Sequence, residues 1–327
     1  MLPTKLKKTL FKLEIQILSA FILALVFFTF LSFWGNVTQV SFRLLHFPLW
    51  LITLSLFTTF MNYTLRFLRF KFLLRQSQIT LPTYPALLVF FSGLAMTVTP
   101  AKSGELTKAY FIKKLTPQKT SFSHAAPIVI FERLTDALGT LVLMTWGLWH
   151  YPQTRLLTLF VTAGIIITLI IISHQSLFAY IYYWMKKIAF LDFLVNHMTN
   201  FHQSLKRLLN LKNLTISSLL ALIAWSFEVI TFSLVYYGLV GSINLNTVAV
   251  LAFIFTFTSI LGFLAVIPGG LGVTEGSKLG LLTLFFNLPK PTAVSIVILV
   301  RLFTLWFGVS LGVIALLKLT HLINYDR

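Results

Sequence analysis

The segment Ile267-Pro-Gly-Gly-Leu-Gly-Val-Thr-Glu-Gly276 interrupts a long apolar stretch with four glycines, a proline and a carboxylate. The whole chain has only 8 acidic residues, so a carboxylate at this place is unusual. Inside hydrocarbon an unpaired backbone group costs several kcal/mol and an ionisable side chain roughly 2.5–3.5 kcal/mol, so broken helix is expected only around a cavity. The segment therefore predicts a helix break that borders a site.

The composition indicates the class of protein. Of the 327 residues, 57% are hydrophobic and 10% are charged, and the mean hydropathy is +0.88. These values predict an all-α integral membrane protein, a polytopic helical bundle that forms one transmembrane domain over residues 1–327. The formal net charge of +18 comes from Lys and Arg beside apolar spans, where they indicate topology and not nucleic-acid binding. Without cysteines or paired histidines, neither a metal site nor a cofactor is expected.

Apolar stretches long enough to cross about 30 Å recur along the chain. They lie near 13–33, 46–66, 84–99, 124–149, 155–173, 214–240, 247–267 and 292–317, with a shorter one at 277–288. Two of them end at Pro100 and Pro268 and are followed directly by a shorter amphipathic helix, which is typical of a re-entrant hairpin. The distribution of Lys and Arg predicts that both termini are cytoplasmic and that residues 174–213 form a cytoplasmic or interfacial linker.

An offset of 168 residues indicates an internal repeat. It aligns, without a gap, Pro100 with Pro268, Gly104 with Gly272, and Arg133 with Arg301. Aliphatic matches are common in such a sequence, but proline, glycine and intramembrane arginine are scarce enough for their joint alignment to favour a true repeat. The predicted topology gives the units 46–149 and 214–317 opposite orientations. Inverted units whose broken helices meet near the midplane are typical of alternating-access transporters.

The first break is predicted to bind an anionic group such as phosphate. Thr99-Pro-Ala-Lys-Ser-Gly-Glu105 precedes a helix, so free N–H groups at Gly104, the helix dipole and Lys102 converge on one point beside Pro100 and Glu105. The alternative is structural. Pro100 and Gly104 would then make a turn, Glu105 would stabilise the helix N-terminus and Lys102 would snorkel to the interface.

The second break is predicted to form a similar anion site. After Pro268, the N–H groups of three glycines form a nest, and two charged residues follow one helical step apart: Gly269, Gly270 and Gly272, then Glu275 and Lys278. The alternative is a flexible external loop.

Charged residues within the spans are candidate site residues as well. Glu132 and Asp136 share a helix face, and Arg133 beside them can reach a neighbouring helix. Arg301 lies among aliphatic residues. We expect these charges to line a pathway or to neutralise one another, with Glu105 and Glu275 as partners of the two arginines; purely structural ion pairing is the alternative.

Two further features are less specific. Glu228 is a lone carboxylate within a span, and it is either a proton carrier or a neutral acid that is hydrogen-bonded to a neighbour. The segment 62–69 contains Arg66 and Arg69, which are interpreted as marking the cytoplasmic interface, where they can meet lipid phosphates.

The motifs resemble those of a known family. Pro100-x-x-x-Gly-Glu105, Glu132-Arg133 with Asp136, and Pro268-Gly-Gly-Leu-Gly-Val-Thr-Glu275 are similar to the signature segments of the lysylphosphatidylglycerol synthase transmembrane-region family, also called flippase-like or UPF0104 proteins. The resemblance covers nearly the whole chain. It implies movement of a lipid between leaflets, either a phospholipid or a polyprenyl-linked sugar. Because this sequence ends at Arg327, without the soluble aminoacyl-transferase domain of the synthases, flipping is expected and lipid aminoacylation is not.

The sequence thus predicts a lipid translocase of the cytoplasmic (inner) membrane and not an enzyme. Membrane lipids would be its substrates, and a homodimer or a separate lipid- or glycan-modifying enzyme are possible partners. A small-solute secondary transporter and an intramembrane polyprenyl-diphosphate phosphatase are the alternatives. Thr274-Glu275 resembles the Thr-Glu pair of the phosphatases, but the chain has no Ser-Arg-Ser segment and no His–acid arrangement for phosphoryl chemistry. No Walker motif is present, so any coupling would come from an ion gradient.

Overall fold

The fold was analysed in a computed structural model that describes residues 4–99, 104–116, 120–148, 201 and 203–325, with a few positions between 156 and 167. Eleven α-helices are delimited in these ranges. They are α1 Thr4–Trp34, α2 Val37–Leu45, α3 Leu49–Gln76, α4 Thr83–Ala95, α5 Thr107–Leu115, α6 Phe122–Leu148, α7 Leu211–Val240, α8 Leu245–Leu264, α9 Val273–Phe286, α10 Lys290–Arg301 and α11 Phe307–Tyr325. The predicted span at 155–173 and most of the linker at 174–213 lie outside the described residues.

Local sequence explains where several helices begin. The side chains of Asn36, Asn210 and Asn244 cap α2, α7 and α8 by accepting a hydrogen bond from the backbone N–H three residues later. Pro48 and Pro289 precede α3 and α10, where an extended residue without an N–H donor costs nothing. The polar and proline residues between the apolar stretches therefore act as helix starts.

The helices fit an all-α integral membrane protein. Among the described residues, Leu211–Val240, Leu245–Leu264 and Lys290–Ile323 are long and apolar enough to cross a membrane. A fourth span is possible if the bent pair Phe21–Trp34 and Val37–Leu45, which meet at 111°, is counted as one. Helices α3 and α6 have 28 and 27 residues, or about 40 Å, but they carry several charged side chains. The class predicted from composition is confirmed.

Two span boundaries differ from the prediction. The stretch predicted at 46–66 continues as α3 to Gln76, so the basic residues that were expected just outside the span lie on the same helix. The first span bends sharply at Gly35-Asn36 into α2, where Asn36 has a φ of 72°. The stretch predicted at 13–33 ends just before this bend, and the continuation of the chain beyond it as helix α2 was not predicted.

Each predicted break is a helix, a short turn and a second, shorter helix. Helix α4 ends in the 3₁₀ turn Met96–Val98, and described structure resumes at Gly104 before α5. Helix α8 ends at Leu264, and the 3₁₀ turn Pro268–Gly270 precedes α9. Gly269, Gly270 and Gly272 have φ values of 62°, 65° and 83°, a region that glycine enters without steric cost. The glycines of the opening motif are thus required by the backbone of the turn.

Helices of the two predicted units pack against one another. Helix α3 packs most extensively on α7, where Asn62 donates to the carbonyl of Ala224 at 2.7 Å. Helix α11 packs on α4, and α6 packs on α8. Glycine permits both of these close approaches, because a Cβ at Gly312 would meet the backbone of α4 and a Cβ at Gly147 would meet the backbone of α8. The last helix of each unit therefore supports the hairpin of the other.

The two breaks touch at the centre of this arrangement. The 3₁₀ turn Met96–Val98 contacts the 3₁₀ turn Pro268–Gly270, and a Cβ added at Gly269 would lie 3.9 Å from the Cα of Val98. Any group bound at one break is consequently close to the other.

Candidate functional site

A charged cluster lies beside the first break. Glu105, in the turn that opens α5, places Oε2 2.9 Å from Arg133 Nη2 on α6. Lys108 lies one helical step after Glu105, and its Nζ is 2.6 Å from Glu132 Oε2 and 3.6 Å from Glu105 Oε2. Glu105, Lys108 and Glu132 are nearly fully buried. The expected pairing of Glu105 with Arg133 is therefore present.

Asp136 extends this first cluster to α3. Its carboxylate is 2.7 Å from Arg69, 3.2 Å from Arg133 and 3.8 Å from Arg66. It also accepts a hydrogen bond of 3.2 Å from the indole N–H of Trp225 on α7. One carboxylate thus joins three guanidinium groups from two helices, which accounts for its burial.

The interpretation of Arg69 as an interface marker is wrong. Its side chain is 1% exposed and bonds Asp136 inside the bundle. The positive-inside rule considers only the sequence around a basic residue, whereas the partner of Arg69, Asp136, lies 67 positions away along the chain. Arg66, at 11% exposure, lies at the more accessible edge of the same cluster.

A second charged cluster holds the second break together. Arg301, at the end of α10, places Nε 2.6 Å from Glu275 Oε1 and donates from Nη2 to the carbonyl of Gly269 at 3.2 Å. Glu275 also accepts a 2.8 Å hydrogen bond from the N–H of Gly272, which caps α9. The expected partner of Arg301 is thus Glu275. Directly after Arg301 the helix changes to a π-helix over Leu302–Trp306, a distortion that is frequent at functional sites.

A lysine lies between two phenylalanine rings in each unit. Lys108 Nζ is 5.5 Å and 5.7 Å from the ring centroids of Phe70 and Phe90. Lys278 Nζ is 5.4 Å and 4.7 Å from those of Phe232 and Phe255. In both units the first ring comes from the helix that precedes the hairpin and the second from its first arm. Desolvated cation–π contacts of this kind are worth about 2 kcal/mol.

The two clusters share a plan and differ in charge balance. Each has a Glu-x-x-Lys step at the start of the second hairpin arm and an arginine on the helix that follows the hairpin: Glu105, Lys108 and Arg133, and Glu275, Lys278 and Arg301. In the first cluster, four cations including Arg66 and Arg69 face the carboxylates of Glu105, Glu132 and Asp136. In the second, Lys278 and Arg301 face Glu275 and Glu228. The first cluster, as described, therefore has one more positive group than carboxylates, whereas the second is balanced.

Sequence reasoning missed Lys108, although a signal for it was present. The offset of 168 that aligns the arginines places Glu105 opposite Val273, so the shared step was hidden. An offset of 170 aligns Glu105 with Glu275 and Lys108 with Lys278. The two offsets differ by two residues because Glu105 follows Pro100 by 5 residues whereas Glu275 follows Pro268 by 7, and the spacing from the glutamate to the arginine is then 28 in the first unit and 26 in the second.

The remaining predicted site residues have different outcomes. Pro100 and Lys102 lie outside the described residues. Gly104 donates its N–H to Thr99 Oγ1 at 2.7 Å, and a Cβ there would lie 2.7 Å from the same side chain. Glu228 is buried on α7 and acts electrostatically on Tyr63 and Lys278. No metal-binding group of His, Asp and Glu is found among the described residues.

At the second break, two of the three N–H groups of the expected nest are already used within the turn. The N–H of Gly270 donates to the carbonyl of Ile267 at 2.9 Å, and that of Gly272 donates to Glu275. Both donors are used because the positive φ values fold the turn back on itself. Pro268 supplies the carbonyl that accepts from Leu271. In this conformation neither of these two N–H groups is free to meet a ligand, so the guanidinium of Arg301 is the stronger candidate for an anion contact at this break.

Arg133 and Arg301 are each the most accessible member of their own cluster. The side chain of Arg133 is 20% exposed and that of Arg301 is 10% exposed, whereas Glu275 is fully buried. The Nε atoms of Arg66 and Arg133 are buried and have no hydrogen-bond acceptor within the described part of the chain. Buried donors normally have acceptors, so each of these atoms has an unused donor for an anionic or carbonyl oxygen, which could reach it only if the neighbouring side chains move.

Fold and site together define a multi-pass helical membrane protein with a paired set of buried ion pairs at two adjoining helix breaks. The chain belongs to the family described as the lysylphosphatidylglycerol synthase TM region, which matches residues 16–312. It is similar to a UPF0104 membrane protein of Pyrococcus horikoshii, with 26% identity over 257 residues that cover 70% of this chain and 75% of the relative. The predicted family is confirmed, and a role related to membrane lipids follows from it.

Proposed function

We propose that this chain is a lipid translocase of the cytoplasmic membrane, which moves a phospholipid or a polyprenyl-phosphate-linked lipid between leaflets. The observation that carries the proposal is the contact between the two breaks, each bound by an arginine from the helix that follows its own hairpin. A headgroup at this contact would pass from one of these arginines to the other. The proposal assigns no enzymatic activity to the chain.

The charge arrangement supports an anionic headgroup. Arg133 and Arg301 present planar guanidiniums, which match phosphate oxygens in pairs. Each is held in place by a carboxylate, Glu105 or Glu275, so binding would weaken an existing ion pair instead of ordering a free side chain. Lys102 and Pro100 in the first break, with Gly104, remain proposed contributors.

Alternating access would use the inverted relation proposed for units 46–149 and 214–317, with both termini cytoplasmic. In one state the headgroup would contact Arg133, and in the other Arg301. Glu132 and Asp136 would balance charge in the first unit. Glu228, buried close to Lys278, is a candidate for carrying a coupling proton.

Two other functions make different experimental predictions. A solute transporter would show uptake into vesicles without any change in lipid sidedness. A polyprenyl-diphosphate phosphatase would release phosphate. The structure gives the phosphatase no support at Glu275, because both of its carboxylate oxygens are engaged, by Arg301 and by the N–H of Gly272. Dimer formation and a separate modifying enzyme as partner also remain proposals.

The proposal can be tested by reconstituting the purified chain in liposomes that hold headgroup-labelled phosphatidylglycerol, phosphatidylethanolamine or a polyprenyl phosphate. The accessibility of the label to a membrane-impermeant quencher is followed over time, with protein-free liposomes as the control. Lipid-selective exposure is expected. If no lipid becomes accessible and the same vesicles release phosphate or accumulate solute, the translocase proposal fails.

A further inference from the structure

An apolar groove of about 840 Å³ runs between α1 and α11, outside the charged clusters. Phe21, Ala24 and Phe28 line one side, and Trp306 and Val309 line the other. Its volume is within the range of about 300–1,000 Å³ that is typical of ligand pockets.

The groove offers almost nothing to a polar molecule. Its two hydroxyl groups are already used: Ser310 donates to the carbonyl of Trp306 at 3.0 Å, and Thr320 donates to that of Leu317 at 2.8 Å. The one remaining polar group of the lining is the indole N–H of Trp306, which is buried and has no acceptor in the described part of the chain. A polar solute would therefore lose its hydration there and gain at most a single hydrogen bond. The chemistry of the lining therefore selects hydrocarbon.

The floor of the groove adjoins both breaks. Ala24, Val98, Trp306 and Val309 form one buried cluster, and Leu271 packs against it. Val98 ends the turn of the first break, and Leu271 directly follows the turn of the second. The π-helix that contains Trp306 begins one residue after Arg301. An amphiphile whose phosphate meets Arg301 would thus have its apolar part at the inner end of the groove.

We infer that this groove binds a hydrocarbon chain of the transported lipid while its phosphate is held at Arg301; this inference rests on the proposed function. The chain site and the headgroup site would together select lipids over water-soluble phosphates. A soluble glycerol phosphate would accordingly compete poorly with the intact lipid. The groove also explains why α1, which precedes the predicted repeat units, lies against the first break.

The inference can be tested by photo-crosslinking in phosphatidylcholine liposomes. The probes are phosphatidylglycerol and a polyprenyl phosphate, each with a diazirine in the middle of the hydrocarbon chain. Crosslinks are mapped by mass spectrometry, and the yield in residues 302–320 is compared with that at Leu284, a leucine on α9 that is 74% exposed. We expect a severalfold higher yield in the groove with at least one probe, and its loss when excess unlabelled lipid of the same kind is added.

Variants of the groove lining distinguish a specifically bound hydrocarbon chain from contact with bulk lipid. Ala24→Phe fills the inner end of the groove, and Val26→Phe, two residues further along α1 at a site that is 64% exposed, is the matched control. Ala24→Phe and Arg301→Ala should each lower the groove yield severalfold, whereas Val26→Phe should not. Leu317→Trp, at an exposed position of the groove lining, serves if Ala24→Phe does not fold.

Equal yields at the groove and at Leu284 with both probes, unaffected by competitor and by Arg301→Ala, would overturn the inference, because bulk lipid would then explain the contact. Competitor-sensitive groove labelling in a protein that exposes no lipid in the quencher assay would have a different meaning. It would keep the chain-binding site and reject the translocase.

Discussion

Removing the amine of Lys108 should destabilise the fold strongly. Lys108 Nζ is 2.6 Å from Glu132, a carboxylate whose side chain is 1% exposed and whose only ion pair in the described structure is this one. Lys108→Met keeps the length of the side chain but leaves Glu132 buried without its counter-charge. Breaking a buried ion pair from one side costs about 3–5 kcal/mol. Glu105 would retain Arg133, so the loss should centre on Glu132.

The double variant Lys108→Met/Glu132→Gln should recover most of this loss, because a neutral amide requires no counter-ion. The thermal stability of each variant is measured by heating it in detergent and determining the remaining folded protein by size-exclusion chromatography. Lys114→Met is the matched control on the same helix, since within the described part of the chain the charged interaction found for Lys114 is a 5.8 Å contact with the ring of Tyr110. A melting temperature for Lys108→Met equal to that of the control, or a double variant no more stable than the single, would refute the buried pair.

Three other substitutions probe the packing and the breaks by the same unfolding assay. Gly312→Ala should destabilise by about 1–3 kcal/mol, since its Cβ meets the backbone of α4, whereas Gly280→Ala, with nothing within 4 Å, should be neutral or stabilising. Gly270→Ala should cost about 1–2 kcal/mol or more, because φ is 65° there. Tyr63→Phe should cost about 1 kcal/mol through loss of its hydrogen bond to the carbonyl of Thr304. A stabilising effect at Gly312, Gly270 or Tyr63 would contradict the corresponding contact.

Much of the site could be predicted because charged residues are rare within apolar, membrane-spanning sequence. A carboxylate or a guanidinium in apolar sequence needs a partner, and with only 8 acidic residues in the chain the choice was narrow. This reasoning gave Glu105 and Glu275 as the partners of the two arginines, and the structure then assigns Glu105 to Arg133 and Glu275 to Arg301. The helix breaks were equally visible in proline and glycine.

What failed depended on contacts between distant helices. The burial of Arg69 depends on its ion pair with Asp136 on a different helix. The cation–π environment of Lys108 is formed by rings from α3 and α4. A single sequence carries no record of such pairings. Hydrogen bonding within a turn is hidden for a similar reason, since glycine composition does not reveal whether the N–H of Gly272 points at a ligand or at Glu275.

The central claim is that Arg133 and Arg301 hold the headgroup of a lipid during its passage between leaflets. The most direct measurement compares label exposure in liposomes for wild type, Arg133→Ala, Arg301→Ala and Arg207→Ala, an exposed arginine as the control. Hydrogen bonds to charged groups contribute about 1.5–3 kcal/mol, so each site variant should slow exposure by about tenfold to a hundredfold and the control should not. If both site variants fold, insert and expose lipid at the wild-type rate, the headgroup does not bind where this account places it.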